Sequence, residues 1–217
     1  MAEEILDAQQ QQWQDTFSRT SEMFGSEPSG PARKAAVVLR KEGVFRLLEL
    51  GSGQGRDTLY FARKGFEVYT LDYSNHGIEV INQKAKELGL SDLIITRIHD
   101  VRNSLPFPNE IFDACFSHML FCMALTTAQL QFLSEEIWRV LRPGGICIYT
   151  VRHTGDSHYK TGIHRGEDMY EVAGFVVHFF TREKVELLAK GYEITNIDEF
   201  EEGDLPRKLF LVILRKK

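Results

Sequence analysis

At 217 residues the chain fits one domain, and its 43% apolar content is enough for a globular core. Twenty-six Lys and Arg against 31 Asp and Glu leave a net charge of −5, which argues against nucleic acid as the main partner, because such binding needs a basic stripe. Cys115, Cys122 and Cys147 are odd in number and form no C-x-x-C pair, which excludes a disulfide framework or zinc site and points to a reducing, cytoplasmic setting.

With the acidic start Met1-Ala2-Glu3-Glu4, neither a secretory signal nor N-myristoylation is expected. No apolar run approaches the roughly 20 residues that span a bilayer, so no membrane partner is expected. Residues 3–19 read as a glutamine-rich helix with Ile5, Trp13 and Phe17 as its apolar contacts. Ser21–Pro31, with Gly25, Pro28, Gly30 and Pro31, reads as a loop, and Ala32–Lys41 as a second helix. Both helices precede the first strand and are expected to cap the core.

Alternation then begins. Val44–Leu50 is a strand, Arg56–Lys64 a helix stopped by Gly65, and Phe66–Leu71 a strand ending at Asp72. Ser74 caps a helix whose Ile78, Ile81, Ala85 and Leu88 share a face before Gly89. Leu93–Ile98 and Ile111–Ser117 are the third and fourth strands. Thr126 and Gln129 stand in capping-box order at the head of a helix reaching Leu141; Arg142–Gly145 is a turn and Ile146–Val151 the fifth strand. Arg152–Val172, rich in His, Gly, Asp and Tyr, reads as a long functional or mobile loop. Phe175–Phe180 is ordered, and a helix capped near Thr181 runs to about Lys190. Tyr192–Phe200 and Leu209–Leu214 are strands whose short link, Glu201-Glu202-Gly203-Asp204, favours an antiparallel pair. The run Glu199–Glu202 is expected to be a solvated turn with strand ends.

Strands alternating with helices predict a mostly parallel α/β sheet covered on both faces, with ligands beyond the carboxyl ends of its strands. Glu49, Gly51, Asp72, Asp100 and Ser117 all fall at such ends. Between the first strand and the next helix lies Glu49-Leu50-Gly51-Ser52-Gly53-Gln54-Gly55, where glycines let backbone amides approach a nucleotide or nucleoside closely. A dinucleotide fingerprint needs a glycine where this chain has Arg56.

The E-x-G-x-G-x-G pattern resembles motif I of class I methyltransferases that use S-adenosyl-L-methionine. Leu48–Asp57, followed by Gly65–Asp72, looks like the tellurite-resistance (TehB-like) and thiopurine-methyltransferase neighbourhood of that class, and Leu141–Gly145 is similar to the turn before its fifth strand. The resemblance implies a Rossmann-like, doubly wound seven-stranded sheet of order 3-2-1-4-5-7-6, strand 7 antiparallel. It divides a single domain, 1–217, into a helical cap (1–42), a cofactor-binding core (44–151), a substrate-side insertion (152–180) and a C-terminal helix with an antiparallel strand pair (181–217). It also implies that Glu49 and the turn through Gly51, Ser52, Gly53 and Gly55 hold the methionine part of the cofactor. Asp72 would take the ribose hydroxyls, Tyr73 would pack on the adenine, Asp100 and Val101 would meet its polar edge, and Ser117 and His118 would border the methyl group.

The expected reaction is in-line methyl transfer to a small acceptor: a thiol, a metalloid oxyanion, an amine or a carboxylate. The donor is already activated, so the protein chiefly orients. Catalytic or clamping roles fall on His118, Arg152, His153 and Arg207, the last placed like an arginine in the final hairpin of TehB-like proteins, with His158, Tyr159, His164 and His178 in reserve. His153, His158 and His164 are spaced like no zinc motif, so no metal is expected. The expected assembly is a monomer or homodimer. An NAD(P)-dependent oxidoreductase and a non-catalytic S-adenosylmethionine-binding module are the rival readings; the first lacks both the third glycine and a Tyr-x-x-x-Lys pair.

Overall fold

Leu47, Leu48 and Leu50 are all buried, as a strand covered on both faces requires. The computed structural model describes residues 2–203 and 207–217; Asp204 of the expected hairpin link, with Leu205 and Pro206, lies outside the described residues, as does the side chain of Ile5. In chain order the elements are α1 (Ala2–Arg19), α2 (Gly30–Lys41), β1 (Arg46–Leu50), α3 (Arg56–Arg63), β2 (Glu67–Asp72), α4 (Asn75–Glu87), β3 (Ile94–Ile98), β4 (Phe112–His118), α5 (Thr127–Val140), β5 (Leu141–Arg152), β6 (Ile163–His164), β7 (Met169–Val172), β8 (Phe175–His178), α6 (Arg182–Leu188), β9 (Tyr192–Glu202) and β10 (Arg207–Lys216).

Seven strands form one sheet in the order β3-β2-β1-β4-β5-β10-β9. Neighbours from β3 to β5 run parallel, and β10 is antiparallel to both β5 and β9. With the three short intervening strands set aside, this is the expected Rossmann-like order with its antiparallel strand. Alternate residues divide the core. Leu47, Val68, Phe116 and Ile148 face α2, α3 and α4, whereas Leu48, Leu71, Cys115, Cys147 and Tyr149 face α5 and α6. All three cysteines are buried, and Cys115 lies opposite Cys147 in the β4–β5 pairing, so they act as small apolar residues.

Three segments depart from expectation. Helix α2 begins at Gly30 inside the expected loop, because the Ser29 hydroxyl accepts the Ala32 amide and Pro31 suits a first turn, where its missing N–H costs nothing. The expected turn Arg142–Gly145 is an irregularity within β5: pairing with β4 jumps from Leu141 to Ile146. The supposed loop 152–172 contains β6 and β7, which join β8 in a separate three-stranded antiparallel sheet. The capping box of α5 forms as read, with both reciprocal bonds between Thr126 and Gln129 present.

The glutamine run proves to be the fastening of α1 over the open end of the sheet. The Gln9 amide bonds Gly174 O and the Val176 amide in the small sheet, both at 3.0 Å. Gln10 donates to Tyr73 O, and Gln14 accepts from Ser74 Oγ at 2.8 Å. Trp13 packs on Phe175 with ring centroids 4.7 Å apart.

Candidate active site

The turn between β1 and α3 is built by close approach. Gly55 caps α3 at φ +83°, and a Cβ there would lie 2.4 Å from Ile81 Cγ1 of α4. A Cβ on Gly77 would lie 2.4 Å from Gly53 O. Gly55 and Gly77 therefore supply the tight helix packing that a third fingerprint glycine gives a dinucleotide binder. Gln54, unmarked in the sequence reading, ties the turn to the cap: its Nε2 donates to Phe17 O and Thr20 O, and its Oε1 accepts the Met23 amide at 2.9 Å.

Three carboxylates converge on this turn. Asp72 accepts the Gly53 amide on Oδ2 and the Ser74 amide on Oδ1, each at 2.8 Å. Burial pushes its carboxyl up to about 6, against the opposing pull of those amides. Glu49 accepts the Thr58 hydroxyl at 2.5 Å, and burial, then the charge of Asp57, pushes it up to about 8. Asp57 accepts the Ser29 amide and hydroxyl at 2.7 and 2.8 Å. The buried Ser52 Oγ has no hydrogen-bond partner among the described residues.

These groups line a cavity of about 750 Å³ roofed by α1 and the small sheet. Its apolar wall includes Trp13, Phe17, Met119, Leu120, Phe175 and Val177. A small annex between Tyr73, Asp100, Val101, Leu120 and Met123 shares Asp72 and Gly51 with it. Asp100 sits there, but its carboxylate is gripped by Arg102, whose Nη2 stands 2.6 Å away and whose backbone amide also donates. Burial would raise the Asp100 carboxyl; Arg102 outweighs it and holds it below the ordinary range.

The expected catalytic residues separate. His118 and Arg207 both line the cavity. His118 Nδ1 is 2.8 Å from Thr150 Oγ1, and its Nε2 is 3.4 Å from Glu202 Oε2. No hydrogen bond or ion pair engages the Arg207 guanidinium among the described residues. Arg152 reaches the cavity too, but Asp156 binds it bidentately at 3.0 and 2.5 Å, so it is an internal brace. His153 does not point into the open end as expected: its ring stacks on Phe210 at 4.5 Å and Nδ1 accepts the Gly155 amide. Ser117 also turns inward, its hydroxyl donating to Leu50 O at 3.1 Å, and Met119 and Leu120 take its place on the wall. Of the reserve residues, only His158 lines the cavity. Tyr159 donates to Asp168, His164 meets Glu167 O, and buried His178 lies between Leu125 O and Lys184 Nζ. Glu202, expected to be solvated, is a wall residue instead; no sequence periodicity marks it, because its facing is set by the β9–β10 register.

The family model described as a methyltransferase domain matches residues 48–149. Demethylmenaquinone methyltransferase of Anoxybacillus flavithermus is 34% identical over 151 residues, covering 64% of this chain and 62% of that protein. The chain thus spans less than two thirds of the length of that relative. Among solved structures, the CcbJ methyltransferase of Streptomyces caelestis superimposes with TM-score 0.73 at 16% identity, covering 93% of this chain and 95% of that one. TehB of Haemophilus influenzae does so with TM-score 0.70 at 19% identity, covering 94% and 67%. These likenesses are to the fold.

Proposed function

We propose that this chain is an S-adenosyl-L-methionine-dependent methyltransferase acting on a small molecule. The observation that carries the reading is the convergence of Glu49, Asp57 and Asp72 on the Gly51–Gly55 turn. Carboxyl groups there favour a cofactor with a sulfonium and an ammonium over one with a pyrophosphate, because a cationic ligand is stabilised by their ionised form and an anionic one is not. The residues fit in further respects. Ser52 offers an orphaned hydroxyl for the amino-acid head. Asp72, with both oxygens already fixed by amides, keeps lone pairs for the ribose hydroxyls. Tyr73, Val101, Leu120 and Met123 offer apolar surface for the adenine.

When bound, the cofactor supplies a methyl group already activated for displacement. The protein's share is to hold, orient and dry the reactants. Trp13 and Phe175 close the cavity over the acceptor, and Arg207 offers a guanidinium to an anionic group on it. A cavity of about 750 Å³, in the range of small-molecule sites, argues for a small acceptor. Among the described residues no helix is long and apolar enough to cross a membrane.

The test is calorimetry with S-adenosylmethionine and NADH, followed by labelled methyl transfer across small thiols, metalloid oxyanions, amines and carboxylates. The expected outcome is binding of the first ligand, none of the second, and turnover of one acceptor class. Preferential NADH binding would overturn the reading; tight cofactor binding without turnover on any class would favour a non-catalytic module.

A further inference from the structure

Glu202 lines the cavity beside His118, and the sequence did not mark it as a site residue. It is half-buried, shares the wall with His118 and Arg207, and is the cross-strand partner of Arg207 in the β9–β10 hairpin. His118 holds it in place, and Thr150 holds His118 while also accepting the Met119 amide at 3.1 Å. The nearby Asp156 is occupied by Arg152 and by the amides of His158 and Lys208. Burial alone would raise the Glu202 carboxyl, but the hydrogen bond and charge of His118, with Arg56 and Arg207, outweigh it and keep it below the ordinary glutamate range.

We propose that Glu202 is a catalytic residue of the methyl transfer inferred above and that its acceptor is an amine, a neutral nitrogen bearing N–H. This rests on the methyl-transfer reading. A fixed, ionised carboxylate beside the reacting atom repels a thiolate or metalloid oxyanion. It is too weak a base to ionise an alcohol, which must shed its proton in order to attack. An amine needs no prior ionisation: its N–H donates to Glu202 while its lone pair faces the methyl group. The lone pair forms the N–C bond, the C–S bond breaks with its electron pair staying on sulfur, and the nitrogen, now cationic, keeps its proton against the Glu202 carboxylate, which stabilises the charge as it develops, and loses it to water after release. Arg207, beside Glu202, takes an acidic group elsewhere on the same acceptor.

Three isosteric probes separate the nucleophiles: 4-(aminomethyl)benzoate, 4-(mercaptomethyl)benzoate and 4-(hydroxymethyl)benzoate, each incubated with the full chain and S-adenosylmethionine and followed by mass spectrometry. The amine is expected to be methylated and its two isosteres not. Glu202→Gln, which removes the charge that stabilises the developing cation, should lower kcat on the amine by roughly 100-fold, with S-adenosylmethionine affinity unchanged, and Glu202→Asp should restore part of the loss. An unmethylated amine in a chain that binds the cofactor, preferential methylation of the thiol, or full activity of Glu202→Gln overturns the proposal. A chain that does not bind S-adenosylmethionine overturns the methyl-donor reading itself.

Discussion

Asp72 holds Gly53: the carboxylate at the end of β2 accepts the amide in the middle of the glycine turn at 2.8 Å while its other oxygen accepts the Ser74 amide at the head of α4. One side chain thus fixes the distance between the turn and the helix beside it. In Asp72→Asn, one of these amide donors would face an NH2 group. Cofactor binding should weaken by roughly 1–3 kcal/mol, from the loss of a charge-assisted bond and the loosened turn. Titration calorimetry with S-adenosylmethionine checks this, and unchanged affinity would remove Asp72 from the site.

The Glu49 carboxyl, raised from 4.5 to about 8 by burial, holds its proton in the folded chain near neutral pH. The folded value lies above the unfolded one, so its contribution to stability is complete below about 4.5 and is lost as pH rises through about 8. The unfolding free energy of Glu49→Gln, from urea titrations at a series of pH values, should therefore gain on that of the native chain between those values, with a slope of at most about 1.4 kcal/mol per pH unit. A cationic ligand favours the ionised carboxylate, so cofactor binding at neutral pH should release a proton. Calorimetry in buffers of different ionisation enthalpy measures this, and a heat independent of buffer would contradict it.

Gly77 lies in the first turn of α4, where alanine ordinarily adds up to ~1 kcal/mol of helix stability. The close approach of Gly53 O reverses the sign: Gly77→Ala should destabilise the chain by about 1–3 kcal/mol, as overpacking does, and weaken cofactor binding as the turn is pushed away. Urea unfolding decides it, with stabilisation as the adverse result.

Arg207 lines the cavity, and among the described residues no hydrogen bond or ion pair ties its guanidinium to the glycine turn. Arg207→Ala should lower kcat/KM for an anionic acceptor by about 10- to 150-fold, the range of one charged hydrogen bond, and leave cofactor affinity alone. Equal loss of both would place the arginine in the fold rather than in recognition.

Local sequence determined most of the elements and the placing of Glu49 and Asp72 at strand ends beside the glycine turn, while the order of the strands followed from the family resemblance. Glycines, caps and apolar periodicity act within a few residues, and a strand end is a strand end whatever packs above it. Glu49, Asp72 and the capping box of Thr126 and Gln129 were readable for that reason. Tertiary structure decided which side chains meet at the acceptor end. Successive strand residues face opposite ways, so Ser117 turned inward while His118 faced the cavity, and His153 left the site that Arg152 borders. Asp156 claimed Arg152, and Glu202 came to His118 from a hairpin 84 positions further along (202 minus 118), by pairing that no local pattern encodes. The glutamines of α1 gained their meaning only from partners such as Tyr73, Ser74 and Val176, which the fold brings to them.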